Sequence, residues 1–138
     1  MLFKKFALII GICIMIMSCS STKILKVEKI KVMPGVSTAT PAYRYVLEIS
    51  VQEKTQFRFI KVNDLPEINS FSVINMKTNM QSDNRILYDI GKYRLQFDLP
   101  VDNIDEHGTD ILKLTFKIGD NIETISKKID AVKILQLK

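Results

Sequence analysis

The chain contains no tryptophan, a single histidine (His107) and two cysteines, Cys13 and Cys19. Each scarcity removes a class of chemistry. A sugar-binding platform favours exposed tryptophan and tyrosine, yet Tyr43, Tyr45 and Tyr93 fall on the apolar phase of alternating segments and read as core. A Ser–His–Asp site needs its histidine beside an acid and a serine. His107 lies in DNIDEHGTD, a polar stretch just ahead of an apolar one, and reads as a solvated loop residue. The glycines Gly35, Gly91, Gly108 and Gly119 are scattered, so no glycine-rich phosphate loop is present. Nothing singles out a pair of carboxylates at glycosidase spacing. Internal repeats and low-complexity blocks are absent too.

What is present begins with a positive tip, Lys4 and Lys5, followed by the apolar run Phe6–Met17. As a helix that run rises only about 18 Å, short of the roughly 30 Å hydrocarbon core, so it does not read as a spanning segment. A charged tip, a short apolar stretch and a small residue make a secretory signal. Its ending, Ile16-Met17-Ser18-Cys19, resembles the lipobox of bacterial lipoproteins. That resemblance implies a signal peptide over 1–18, cleavage after Ser18, and acyl chains such as palmitate on Cys19. An ordinary signal cut nearby, with Cys19 an incidental thiol, is the other reading. Residues 19–23 would be a short tether and 24–138 the folded domain. Ser20, standing where an aspartate does not, implies outer-membrane delivery in a cell that has an outer membrane. The chain is thus expected to be exported and held to the cell envelope by lipid. Beyond Cys19 there is no further cysteine, which leaves the domain no disulfide and no thiolate ligand.

Residues 19–138 suffice for one domain with a sizeable core. Without Lys4 and Lys5 they carry 18 basic against 15 acidic side chains, too slight an excess to point to nucleic acid. Lys23, Lys26, Lys29 and Lys31 follow the tether and read as a solvated strand face with edge protection. The alternative is that they rest on anionic lipid headgroups.

Period two dominates the remainder. Tyr43, Tyr45, Leu47, Ile49 and Val51 alternate with polar residues, as do Tyr93–Leu99 and Leu112–Ile118. Further strands are expected over Ile24–Met33, Gln56–Val62, Phe71–Met76, Arg85–Ile90, Ile122–Ile129 and Val132–Leu137. The phase slips between Phe59 and Ile60, which reads as a bulge or a strand end. Ile118-Gly119-Asp120-Asn121-Ile122 reads as a hairpin, although Ile122, Ile125 and Ile129 also fit a short helix. About seven to nine short strands separated by turn signals predict an all-β, antiparallel two-sheet sandwich. The stretch KYRLQFDLP…DILKLTFKIGDNIETISKKI resembles the late strands of an immunoglobulin or fibronectin type III domain. An immunoglobulin-like sandwich is what that resemblance implies; small barrels and transthyretin-like sandwiches remain open.

Only one segment offers a metal-binding composition. Asp102, Asn103, Asp105, Glu106 and Asp110 crowd together, and oxygen ligands of this kind suit calcium. Acidic turns between strands are also commonly soluble caps, and no resident metal or other cofactor is expected. The loop MPGVSTATPAY and the Asp102–Asp110 segment are the places to look for a binding edge. The expectation is a membrane-anchored, non-enzymatic binding or structural module whose partners are the membrane and another envelope protein. The alternative is a small hydrolase, or an accessory subunit of one, using acidic residues of 98–110.

Overall fold

A computed structural model describes residues 22–33, 41–104, 108–129 and 132–136. Among these residues nine strands follow one another: β1 (Lys23–Met33), β2 (Ala42–Val51), β3 (Gln56–Val62), β4 (Ser72–Asn75), β5 (Gln81–Asp83), β6 (Gly91–Pro100), β7 (Asp110–Ile118), β8 (Asn121–Ile129) and β9 (Val132–Gln136). A 3-10 turn, Val101–Asn103, follows β6 directly. Two sheets result, one in the order β5-β4-β6-β2-β1-β9 and the other β3-β7-β8.

Alternation explains why two sheets face each other. In β2 every second side chain from Tyr43 to Val51 is fully buried, while those between are half-buried on the outer face. The same phase buries Tyr93, Leu95 and Phe97 of β6, Phe57, Ile60 and Val62 of β3, and Leu112, Leu114 and Phe116 of β7. Neither sheet can bury its apolar face alone, so each covers the other. Tyr45 and Phe97, opposite each other in the register, stack with centroids 5.1 Å apart and rings 7° from parallel.

Within this sandwich β1-β2-β6-β4 against β3-β7-β8 reproduces the strand order of a constant-type immunoglobulin domain. Two strands are additions. β5 extends the β4 edge by a short hairpin, and β9 pairs in parallel with Lys29–Met33 of β1, the one parallel ladder among the described residues. Only Asp130 and Ala131 separate β8 from β9, so consecutive strands belong to different sheets.

The hairpin expected at Gly119-Asp120 is present as a two-residue turn between Ile118 and Asn121. Gly119 takes φ +58 at the first central position, a conformation that a side chain there would strain. β8 is a strand, not a helix. Arg85–Ile90 departs from expectation: it forms a loop that meets the three-stranded sheet at the bridge Thr55↔Tyr88, at the bond from Gln56 Nε2 to the Arg85 carbonyl and at the Phe57–Tyr88 ring contact, without joining it as a strand. Tyr88 alone of its apolar residues is buried, while Ile86, Leu87 and Ile90 stand exposed, so the segment has no face with which to join a sheet. The short polar strand β5, which has no apolar alternation, occupies the sheet edge instead. The β3 irregularity is a register shift between Phe57 and Phe59, just before the expected slip.

Buried Asn84 secures this corner. Its amide oxygen accepts from the Phe71 N–H at 3.0 Å, and its Nδ2 donates to the carbonyls of Asn69 at 3.1 Å and Phe57 at 3.3 Å. Asn84→Ala should lower the unfolding free energy by about 1–3 kcal/mol, because buried backbone groups lose their partner. The urea midpoint should fall with its slope unchanged; an unaltered midpoint would show that water replaces the amide freely.

Candidate functional site

The acidic segment does not act as one cluster. Asp98 points to the outer face of the six-stranded sheet, where Arg44 grips it with Nε to Oδ1 at 2.9 Å and Nη2 to Oδ2 at 3.2 Å. Asp102 is exposed in the 3-10 turn. Asp110 is turned inward and only 1% exposed. Asp105, Glu106 and His107 lie outside the described residues, as do Cys19 and the loop over 34–40. Among the described residues, no three histidine, cysteine or acidic side chains stand close enough to share a metal ion.

Asp110 enters the sandwich because it occupies the inward phase of β7, two residues ahead of Leu112. There it meets Lys29 of β1, whose Nζ is 2.8 Å from its Oδ2, both side chains being 2% exposed. The Tyr45 hydroxyl donates to the same oxygen at 2.9 Å, and Asn63 Nδ2 donates to Oδ1 at 2.9 Å. Asn63, at φ +52 just past β3, is held in turn by the Ile111 N–H on its side-chain oxygen and by its own N–H to the Ile111 carbonyl. Lys29 also lies over the Tyr43 ring, 4.6 Å from the centroid. Burial pushes the Asp110 carboxyl up, but the bonds from Lys29, Asn63 and Tyr45 outweigh it and hold the group below the usual carboxylate range. Burial, reinforced by the Asp110 charge, raises the Tyr45 hydroxyl far above its ordinary value, so it remains a donor.

This cluster corrects the expectation for the lysine row. Lys29 is not part of a solvated face; it is the internal counter-ion that joins β1 to β7. Lys23 and Lys26 are exposed, the latter 2.9 Å from Glu28, and Lys31 is half-buried. The reason is phase: Lys29 and Lys31 stand opposite Tyr45 and Tyr43 in the register, on the inward side of the sheet.

An open polar surface lies on the other side of that sheet. Two adjoining depressions, of about 640 and 420 Å³, meet at Gln96. The larger is walled by β4, β5 and β6, with Ser72, Gln81, Asp83 and Asp98 supplying polar groups. The smaller runs over β1, β2 and β6, floored by Val46 and Ile30 and flanked by Arg44, Glu48 and Arg94. Register places Lys26, Glu48 and Arg94 in one cross-strand row, so charge alternates in sign across the face. Such a surface can offer donors and acceptors of both signs to an extended polar partner. Sequence reasoning did not single it out, because each strand shows only isolated polar residues and their juxtaposition is created by pairing.

No protein-family model matches the chain, and no curated protein matches it either.

Proposed function

We propose that this chain is a lipid-anchored protein of the cell envelope, acylated on Cys19 after loss of residues 1–18, whose role is non-catalytic binding or bracing. The partner, another envelope protein, would lie along the outer face of the six-stranded sheet. One observation carries the non-catalytic part of the reading. The described acids of the segment named by the hydrolytic alternative part company: Asp98 is paired outside the sandwich, Asp102 stands exposed in the 3-10 turn, and Asp110 is consumed inside by three donors. Acid–base catalysis needs a group that can reach the substrate and exchange a proton with it, and Asp110 can do neither. The anchoring part is supported by the short apolar run that ends at Ser18-Cys19.

A photoreactive residue in place of Gln96, in the anchored chain inside its own cells, tests the binding face. A dominant cross-linked adduct is expected, and Arg44→Glu with Arg94→Glu should diminish it. Absence of any adduct, or an adduct indifferent to both reversals, would remove this face as the binding surface.

A further inference from the structure

We infer that the end of the sandwich at which the chain enters β1 is a seat for the lipid surface, its loop tips dipping among the headgroups; this rests on the lipid-anchor reading. Thr22, immediately before β1, is 1% exposed, and its hydroxyl lies 3.4 Å from that of Thr55 in the β2–β3 connection. Between Cys19 and Thr22 the sequence holds only Ser20 and Ser21. Three extended steps from Cys19 to Thr22 reach about 11 Å, so this end faces the bilayer and lies against it.

The turns that gather there are unlike ordinary soluble turns. Gly91 of β6 pairs with Val51 of β2, which places the preceding Ile90 beyond the sheet end, 70% exposed. Leu87, 60% exposed, lines a depression with Lys54, Lys117 and Gly119. Ile122, opposite Lys117 in the hairpin, is 63% exposed, and Met76, whose N–H bonds the Lys92 carbonyl, is exposed as well. At the opposite end, among the described residues, Ile111 is the single large apolar side chain standing exposed.

Charge complements this apolar rim. Lys23, Lys54, Lys77, Lys92 and Lys117 surround it and outnumber the acids of the same end, Glu53, Asp89 and Asp120, of which Asp89 lies 3.7 Å from Lys54. Apolar tips bordered by lysines match the boundary between acyl chains and anionic headgroups, where tips bury apolar surface while lysines remain at the phosphates. Of the β1 row only Lys23 belongs to this rim, and Lys29 is buried inside the sandwich.

Because the chain has no tryptophan, a single introduced one reports its own surroundings. Mature, acylated Ile90→Trp and, separately, Leu87→Trp would be reconstituted in vesicles of phosphatidylethanolamine and phosphatidylglycerol carrying brominated acyl chains. Ile111→Trp serves as the control at the far end. Bromine quenching several-fold stronger at positions 90 and 87 than at 111, with emission shifted to the blue, is expected. Lys92→Glu with Lys117→Glu should weaken that quenching at low salt. Tryptophans at 90 and 87 as open to aqueous iodide as that at 111 would overturn the seat. A blue shift without bromine quenching would also overturn it, by indicating contact between copies. Failure of the anchor is read separately: unmodified chain that takes up no palmitate and does not float with the vesicles overturns both readings together.

Discussion

Lys29→Met is expected to lower the unfolding free energy by about 3–5 kcal/mol, the usual cost of stripping one partner from a buried ion pair. For a domain of this size that is a fall in melting temperature on the order of 10–20 °C. The Asp110 carboxylate would be left inside the sandwich with the donors Tyr45 and Asn63 but without its cation. Asp110→Asn should also destabilise, by removing the buried carboxylate that pairs with Lys29. The double variant Lys29→Met/Asp110→Asn removes both charges and keeps an amide oxygen for Tyr45, so it should recover much of the loss. Its destabilisation should fall well short of the sum of the single changes. Single losses below about 1 kcal/mol would mean that the pair behaves as a solvated one, and the reading of the cluster as an inter-sheet clasp would fail.

The same cluster sets an acid limit. The folded Asp110 carboxyl lies below its ordinary value of 3.8, so unfolding takes up a proton on the acid side. Its stabilisation is complete above about pH 5 and is lost as the pH falls through the folded pKa. Stability measured down the acid limb should therefore drop less steeply in Asp110→Asn than in the parent. Equal slopes would assign the acid loss to other carboxyls.

Cys19→Ala is expected to abolish incorporation of radioactive palmitate and to move the protein from the membrane to the soluble fraction. The effect should be close to complete because each buried methylene contributes about 0.8 kcal/mol, and several chains on one residue form an effectively permanent anchor. Residual attachment at the lipid-seating end should be weak and salt-sensitive, since exposed lysines are screened beyond roughly 8 Å at physiological ionic strength. Labelling that survives the substitution would refute the anchor. Loss of labelling with full, salt-resistant membrane retention would instead place the attachment in another part of the chain.

The strands that could be read in advance are those with one strictly alternating face. Tyr43–Val51, Tyr93–Leu99 and Leu112–Ile118 lie within β2, β6 and β7, because a buried face admits only one register. The misplaced element has the opposite character. Arg85–Ile90 is apolar without alternation, whereas β5 is three polar residues held by Asn84 and a hairpin, and neither shows a period. The site was readable only in part. Asp110 shares the inward phase of Leu112, a signal that it would be buried, but the acidic composition around it pointed to solvent. Lys29 carried no such signal, because Ile30 and Val32 occupy the opposite phase of β1 and a register shift between Ile24 and Lys26 changes which phase faces inward. Asn63 had none, since its role depends on a positive-φ turn meeting the start of β7.

By itself, then, the sequence determined the all-β class, the strands of the core and which of their residues face inward, because side-chain period two is a local property of extended backbone. Tertiary structure decided the rest. The parallel docking of β9 on β1, the meeting of Lys29, Tyr45, Asn63 and Asp110, the charged rows of the outer face and the apolar rim beside Thr22 all join residues distant along the chain. Such encounters depend on which strands pair and in what register, and that is settled by the burial of both sheets at once, not by any single segment.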